Sequence, residues 1–461
     1  MTSRLYIYLL LFMLLKGVEV FGTDFYQWLD DTSAKVPDIY IDIEDNAVPE
    51  DKDTYLEASI SVIGNSVIAD VDSVPVKIKG RGNSSWRKKP EAKNPYRLKF
   101  NKKINLIGAR KGKNWVLLSN NRKGSMLANA IAFYIADLIQ MPFANHFVPV
   151  ELYLNHEYWG SYMLTEKVGV ANNSIDLIDE SKAFLLELDS YSDTSPRFIS
   201  SSYHLPVNVK FPKVDVDSVD KINAIKEHFN AFLIKILHSE KAGEYIDMES
   251  LVKFLLINEL ALNIEIWKPR SVFLYNENVE DESSKYHFGP VWDFDWAFGV
   301  NSENLKFFQK NVEKNFWNIV DHHASGFWND LYFNLGATFQ VYHEEWKDFV
   351  ENHLPKVLDF CDKYYAFVKK SFEHNAEVRN ETTDYQNQVK QAKLWINTRS
   401  HSILHRLELG NTSWNQLFSK DTVCVFNIHG VIISEKIQVK KLRYLLPKSY
   451  YIVNGKKLFI R

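Results

Sequence analysis

Near residue 215 the spacing of apolar residues along this chain changes from every second position to every third or fourth, and few architectures accommodate such a switch. Before it, Asp38-Ile39-Tyr40-Ile41-Asp42-Ile43 alternates, as do Ala58 to Gly64 and Val74 to Lys79. Tyr96 to Phe100, a buried strand at Trp115 to Leu118, a hairpin over 148–154 and 158–165, and Phe184 to Asp189 follow. A single helix interrupts them, opened by Gly124-Ser125 and carried by Met126, Leu127, Ala130, Ile131, Tyr134, Ile135 and Leu138 at helical spacing. Beyond the switch, 217–238, 248–264 and 327–408 carry apolar residues at three- and four-residue intervals. The fold class is therefore α+β: a β-rich front lobe over 36–214, an α-rich back lobe over 215–408, and loops of 263–299 opening at the junction. Gly410-Asn411-Thr412-Ser413 marks a further boundary, after which 411–461 reads as a small β module with an Asn454-Gly455 hairpin.

The 461 residues carry 55 basic and 58 acidic side chains, a net charge of −3. Without a broad basic field, nothing favours nucleic acid as a partner. Arg4, the apolar run Leu5 to Leu15, Lys16 and a small-residue site near Gly22 have the layout of a secretory signal peptide over 1–22, the alternative being an uncleaved anchor. That run is short for a membrane span, which needs ~20 residues, so an extracytoplasmic chain without a later span is expected. Only Cys361 and Cys424 are present, so no disulfide framework supports the fold, and the 14 His show no zinc-type spacing.

The residues richest in chemistry lie in Trp292-Asp293-Phe294-Asp295. In an extended segment two carboxylates at this spacing face one way and suit a shared cation such as Mg²⁺, while the aromatics anchor the backbone. A surface turn with core aromatics is the alternative. The loop Gly80-Arg81-Gly82-Asn83-Ser84-Ser85-Trp86 allows close backbone approach to phosphate, or is a simple hairpin turn. In the strand after it, Arg97 and Lys99 share a face and aim cations at an anion, or face water. Glu166, at a strand end, is a candidate partner for such a cation or a metal, or is solvated.

Taken in order, Lys79 to Trp86, Pro95 to Phe100, Asn114 to Leu118, Tyr158-Trp159-Gly160-Ser161-Tyr162 and Trp292 to Asp295 resemble the CotH family of atypical, secretory-type protein kinases, over roughly 36–405. The resemblance implies a distorted protein-kinase-like two-lobe fold. It implies transfer of the ATP γ-phosphoryl group to Ser or Thr of a secreted or envelope protein, with Mg²⁺ or Mn²⁺. Asp293 is then the metal ligand and Asp295 its supporting acid. Arg81, Arg97 and Lys99 hold phosphates, Gly80, Gly82 and Asn83 shape the loop over them, and Glu166 pairs with the cation. The chain departs from the family's pattern where Glu265 replaces an Asp after Asn263, where Pro269-Arg270-Ser271 replaces a later Asn region, and where Ala128, before Asn129, replaces an Arg. Glu265 is then the candidate base, or a structural carboxylate. These departures sustain a second expectation, a non-catalytic cell-surface protein binding protein or glycan. Residues 446–457 resemble the type-A C-terminal sorting modules of Bacteroidota secreted proteins, which implies an outer-membrane secretion machinery as partner.

Overall fold

The computed structural model describes residues 23–460 except 32–33, 66–67, 90, 121–124, 214–218, 239–241, 300–310, 313–315, 317–323, 335, 382–383, 419–421, 428–431, 439–448 and 454–455. The expected signal peptide, 1–22, lies outside the described residues. Two compact units divide the chain, Met1–Ser400 and His401–Arg461.

In the first unit, seven strands close into a barrel in the order β1-β2-β3-β4-β5-β7-β6. They are β1 (Asp38–Ile43), β2 (Leu56–Ile63), β3 (Val71–Gly80), β4 (Tyr96–Ile104), β5 (Gly112–Leu118), β6 (Phe147–Leu154) and β7 (Glu157–Glu166). Antiparallel pairing runs through all but the closing contact, where β1 lies parallel to β6 with Asp38 opposite Glu151. Alternation dictates which residues point inward: Ile39, Ile41 and Ile43 of β1, and Tyr96, Leu98 and Phe100 of β4, are buried. Between β5 and β6, helix α1 (Ser125–Leu138) is apolar nearly all round and buried along its length, as a helix enclosed by its neighbours must be.

A second sheet takes the order β12-β11-β8-β10-β9, from β8 (Phe184–Leu188), β9 (Arg197–Ile199), β10 (Pro206–Phe211), β11 (Val272–Asn276) and β12 (Tyr286–Phe288). This sheet draws strands from both sides of residue 214, where the sequence suggested that β structure ends. Two of them, β11 and β12, lie in a stretch expected to be loops. All five residues of β11 are buried, so no alternation advertises the strand. Val168, Ile175, Leu177, Leu185, Phe273 and Tyr275 form one buried cluster with Trp292 against it, joining the exit of the barrel to this sheet.

Helices α2 (Val219–His238), α3 (Met248–Ala261), α4 (Gly336–Asp348), α5 (Leu354–Arg379) and α6 (Tyr385–Phe418) make the rest, so the β-rich front and helical back are both present. Asp247 caps α3 by accepting from Ser250 N at 2.8 Å, a bond worth ~1 kcal/mol. At its other end the Glu259 and Leu260 carbonyls accept from Arg399 Nε and Trp395 Nε1 of α6. Carbonyls at a helix C-terminus run out of intrahelical partners, and here α6 supplies one to Leu260 and adds a second to Glu259, which also accepts from the Leu262 N–H. No helix among the described residues is long and apolar enough to cross a membrane.

In the second unit β13 (Thr422–Asn427), β14 (Ile432–Gln438), β15 (Ser449–Val453) and β16 (Lys456–Ile460) form a sheet in the order β14-β13-β15-β16. Val453 pairs with Lys456, the register that a two-residue connection requires.

Candidate active site

The acidic turn follows β12 directly. Trp292 stacks on Phe133 of α1 at 5.6 Å, and Phe294 and Phe298 are fully buried, so the aromatics anchor the backbone as expected. The segment is not extended, however. Asp293 adopts φ 67, the left-handed region that Asp tolerates better than most side chains. Proximity of the two carboxylates therefore comes from a turn rather than from strand alternation. Asn129 of α1 clamps this turn twice, accepting from Phe294 N at 2.9 Å and donating to Asp295 Oδ1 at 2.8 Å. Burial, then the Asp295 and Glu265 carboxylates, push the Asp293 carboxyl up to about 7 against the opposing pull of Arg81. Two acids close enough to resist ionising together are a preformed demand for positive charge.

Behind the turn stands the segment after α3. Leu262 closes the helix with φ 51, and Asn263 then caps a short 3₁₀ turn, Ile264–Trp267, by accepting from Glu265 N. Asn263 also donates to Asn258 Oδ1 at 3.1 Å and reaches the Asp293 carbonyl at 3.5 Å. Glu265 is buried, and its Oε2 accepts from Arg270 at 2.7 Å. Ser271 Oγ lies 3.5 Å from Asp293 Oδ2. Asp189, just past β8, is pushed up to about 6 by burial and by Glu187, against hydrogen bonds from the Tyr191 and Ser271 backbone and the pull of Arg270.

Facing the turn is the outer surface of the barrel. Register pairs Lys79 with Arg97 and Lys77 with Lys99 across β3 and β4, so these cations share the face opposite the buried Leu98. Arg81 leaves the end of β3 with its guanidinium 5.5 Å from the Trp292 ring, and Asp293 and Asp295 are the acids that oppose its charge most strongly. Arg97 donates to Asn114 Oδ1 at 3.1 Å, while its buried Nε has no hydrogen-bond partner among the described residues. Lys99 is exposed, its ammonium 5.8 Å from the Tyr55 ring.

The glycine loop owes its form to packing. A Cβ on Gly80 would lie 2.2 Å from the Trp86 ring and 2.5 Å from the Asp51 carbonyl, and Gly82 has φ +93. Gly80 N donates to Asp51 O, Arg81 N to Pro95 O and Trp86 N to Asn83 O. Protein carbonyls thus take up much of the N–H array expected to cradle phosphate, and the loop's contribution to the site is the Arg81 side chain. Asn83 is exposed at the bend.

Glu166 departs from its expected place. It pairs with Trp115 across β5 and β7, and Trp115 with Leu98, so Glu166 lies on the barrel's inner face, opposite Arg97 and Lys99. Only 2% exposed, it accepts from His146 N at 2.9 Å and meets His146 Nδ1 at 3.1 Å. Its cation is His146. The next residue, Lys167, instead emerges on the Arg97 face. Neither Lys167 nor Asp189, Asn129 and Arg270 was assigned a role from sequence. A polar residue directly past a buried strand is the one local signal, borne by Asp189 and Lys167 alike.

Among the described residues no three His, Cys, Asp or Glu side chains converge closely enough to hold a metal ion. Mg²⁺ is commonly bound by one or two carboxylates together with substrate phosphates, so the hard oxygens of Asp293 and Asp295 fit such an ion when a phosphate completes its shell. No curated protein matches the chain. A family model described as CotH kinase protein matches residues 76–403, and over that majority of its length the chain belongs to the CotH kinase family.

Proposed function

We propose that the chain transfers the ATP γ-phosphoryl group to a Ser or Thr hydroxyl of a protein, on a distorted kinase-like fold whose front lobe is the barrel. The observation that carries this reading is the seating of Arg81 on the acidic turn, its guanidinium 5.5 Å from the Trp292 ring and opposed by Asp293 and Asp295, with Arg97 as a second cation in the same field. Phosphoryl transfer asks a protein mainly for positioning and for charge on the phosphate oxygens, and this arrangement supplies both signs at one place. Asp293, supported by Asp295, would hold Mg²⁺ or Mn²⁺, and the ion supplies charge neutralisation on the phosphates. Arg81 and Arg97 bind the phosphate oxygens, Lys99 adds charge at the outer rim, and Gly80, Gly82 and Asn83 shape the bend that carries Arg81. Glu265, fixed on one oxygen by Arg270, accepts the substrate hydroxyl. The signal-like start of the chain supports a secreted or cell-surface location, and the tail over 446–457 supports export by an outer-membrane machinery; the substrate is then an envelope or secreted protein.

The test is incubation of the protein with γ-labelled ATP and Mg²⁺ or Mn²⁺, alone and with envelope extract, beside Asp293→Ala. Label on protein Ser or Thr that needs the metal and falls at least ~100-fold in the variant is expected. Absence of both transfer and metal-dependent nucleotide binding would sink the reading. The engagement of Glu265 by Arg270 favours a second one, a scaffold that binds without catalysis; nucleotide binding with no transfer to any acceptor would select it.

A further inference from the structure

The cations at the seam between barrel and second sheet differ in how far they are neutralised. Lys210 of β10 is bound by two carboxylates, Glu187 at 3.1 Å and Asp193. Arg81 is opposed by Asp293 and Asp295. Lys167 has a different environment. Its backbone N–H donates to Asn114 O, continuing the β5–β7 ladder one residue past the strand, which sets its side chain on the face shared by Lys99, Asn114 and Arg97. The ammonium donates to the neutral Val168 carbonyl at 2.8 Å. Among the described residues neither Lys167 nor Arg97 forms an ion pair, although both are half-buried and Arg97 Nε lacks any hydrogen bond. Burial lowers the Lys167 ammonium to about 7, with Arg97 and Lys210 adding to the effect and Glu187 opposing it. Partly desolvated, uncompensated charge is costly, and a fold that keeps two such groups together keeps them for an anion.

We propose that Lys167 and Arg97 form the anion-binding pair of this seam, with Lys167 rather than Lys99 the ammonium that grips a phosphate oxygen of the ligand. The geometry separates the two lysines. Lys99 is exposed and shares the Tyr55 ring with Lys79, whose ammonium is 4.8 Å from it, whereas Lys167 lies in the seam within the field of Arg81, the cation nearest the acidic turn. A guanidinium and a lysine ammonium side by side suit a polyphosphate chain, the Arg binding oxygens in pairs and the Lys acting as a point charge. The inference rests on the phosphoryl-transfer reading for its choice of ligand, but not on any transfer taking place.

The test is calorimetric titration of the full chain with inorganic tripolyphosphate and with ATP plus Mg²⁺, for the wild type, Lys167→Met, Lys167→Arg and Lys99→Met. Met keeps the aliphatic stem and removes the charge. A loss of ~10-fold or more in affinity for both probes in Lys167→Met, partial recovery in Lys167→Arg, and a loss at least ~3-fold smaller in Lys99→Met than in Lys167→Met are expected. Equal affinity of Lys167→Met and wild type, a larger loss in Lys99→Met, or no tripolyphosphate binding by the wild type would overturn it. Wild-type protein supplies a check independent of variant folding: brief acetylation at pH 7 with peptide mapping should modify Lys167, and tripolyphosphate should protect it. Modification unchanged by tripolyphosphate overturns the proposal as well. If Lys167-dependent binding occurs without phosphoryl transfer, this inference stands and the kinase reading falls; if Lys167→Met binds and transfers like the wild type, the reverse holds.

Discussion

Asp293 sits on a left-handed backbone, and partial burial and three neighbouring acids, Asp295, Glu265 and Asp189, disfavour its charge. Such arrangements persist where function needs them, so neutralising the residue should separate stability from function. The folded chain binds the Asp293 proton more tightly than the unfolded chain, whose carboxyl titrates near its ordinary value of 3.8. Stability is therefore lost as pH rises through about 7. Asn keeps both the size and the tolerance of left-handed backbone. Asp293→Asn should raise stability at pH 8 by on the order of 1 kcal/mol, a figure discounted for solvent screening, while abolishing metal-dependent ATP binding. Denaturant melts at pH 5 and pH 8 with parallel calorimetry check this, and a variant less stable than wild type at pH 8 contradicts the account. The acidic pair was legible in the sequence because its members are neighbours within one turn. Asp189 was not, because it comes beside Ser271 only through the pairing of Leu188 with Val272 across β8 and β11. The double hold of Asn129 on the turn likewise joins residues far apart in the chain, and its position could be noted in the sequence without its partners being visible.

Strands and helices were easiest to read where one face is buried and hardest where both are. The alternation of β1 and β4 announced them, whereas Val272-Phe273-Leu274-Tyr275-Asn276, buried throughout, has the apolar pattern of any core segment. The end of β7 illustrates a second limit: that Glu166 and Lys167 face opposite sides was implied by their adjacency, but which side holds the ligand depends on closure of the barrel. Glu166 now belongs to a buried ionic group joining α1, β6 and β7, with His146 between it and Asp137. Burial lowers the His146 imidazolium, but Asp137 and Glu166 outweigh it and raise it to about 9. This stabilisation is complete below the ordinary value of 6.5 and lost as pH rises through 9, on the order of 3 kcal/mol in all. Glu166→Gln should therefore lower the melting temperature at pH 6.5, flatten its fall between pH 6.5 and 9.5, and leave tripolyphosphate affinity unchanged. A normal melting temperature with weakened binding would return Glu166 to the ligand site.

At the scale of the whole chain, the site depends on a helix that shares no residue with it. Arg399 and Trp395 of α6 hold the carbonyls at the end of α3, and that helix end sets Leu262, Asn263 and Glu265 in place. Arg399 is fully buried and also donates to the Asn311 and Val312 carbonyls, so one side chain ties α3 to a segment beyond the acidic turn. Ile403 and Leu407 extend the buried face of α6 past the point where the compact units divide. The sequence placed its last boundary at Gly410, whereas the compact units divide between Ser400 and His401, inside α6. A chain ending at Glu408 should melt within about 2 °C of the full chain and bind tripolyphosphate equally well, because it retains the whole of the first unit, Met1–Ser400. A chain ending at Asp384, which loses all of α6, removes the buried Trp395 and Ile396, uncovers the apolar side chains they packed against and strips the carbonyl partners from α3. Loss of cooperative melting is expected for it, since uncovering several large apolar side chains costs ~1.5–3 kcal/mol each against a total stability of ~5–15 kcal/mol. Thermal melts of both truncations decide the matter: if the chain ending at Glu408 fails to melt cooperatively, the C-terminal sheet is part of the first unit's fold, and if the chain ending at Asp384 melts like the full chain, α6 does not hold the site together.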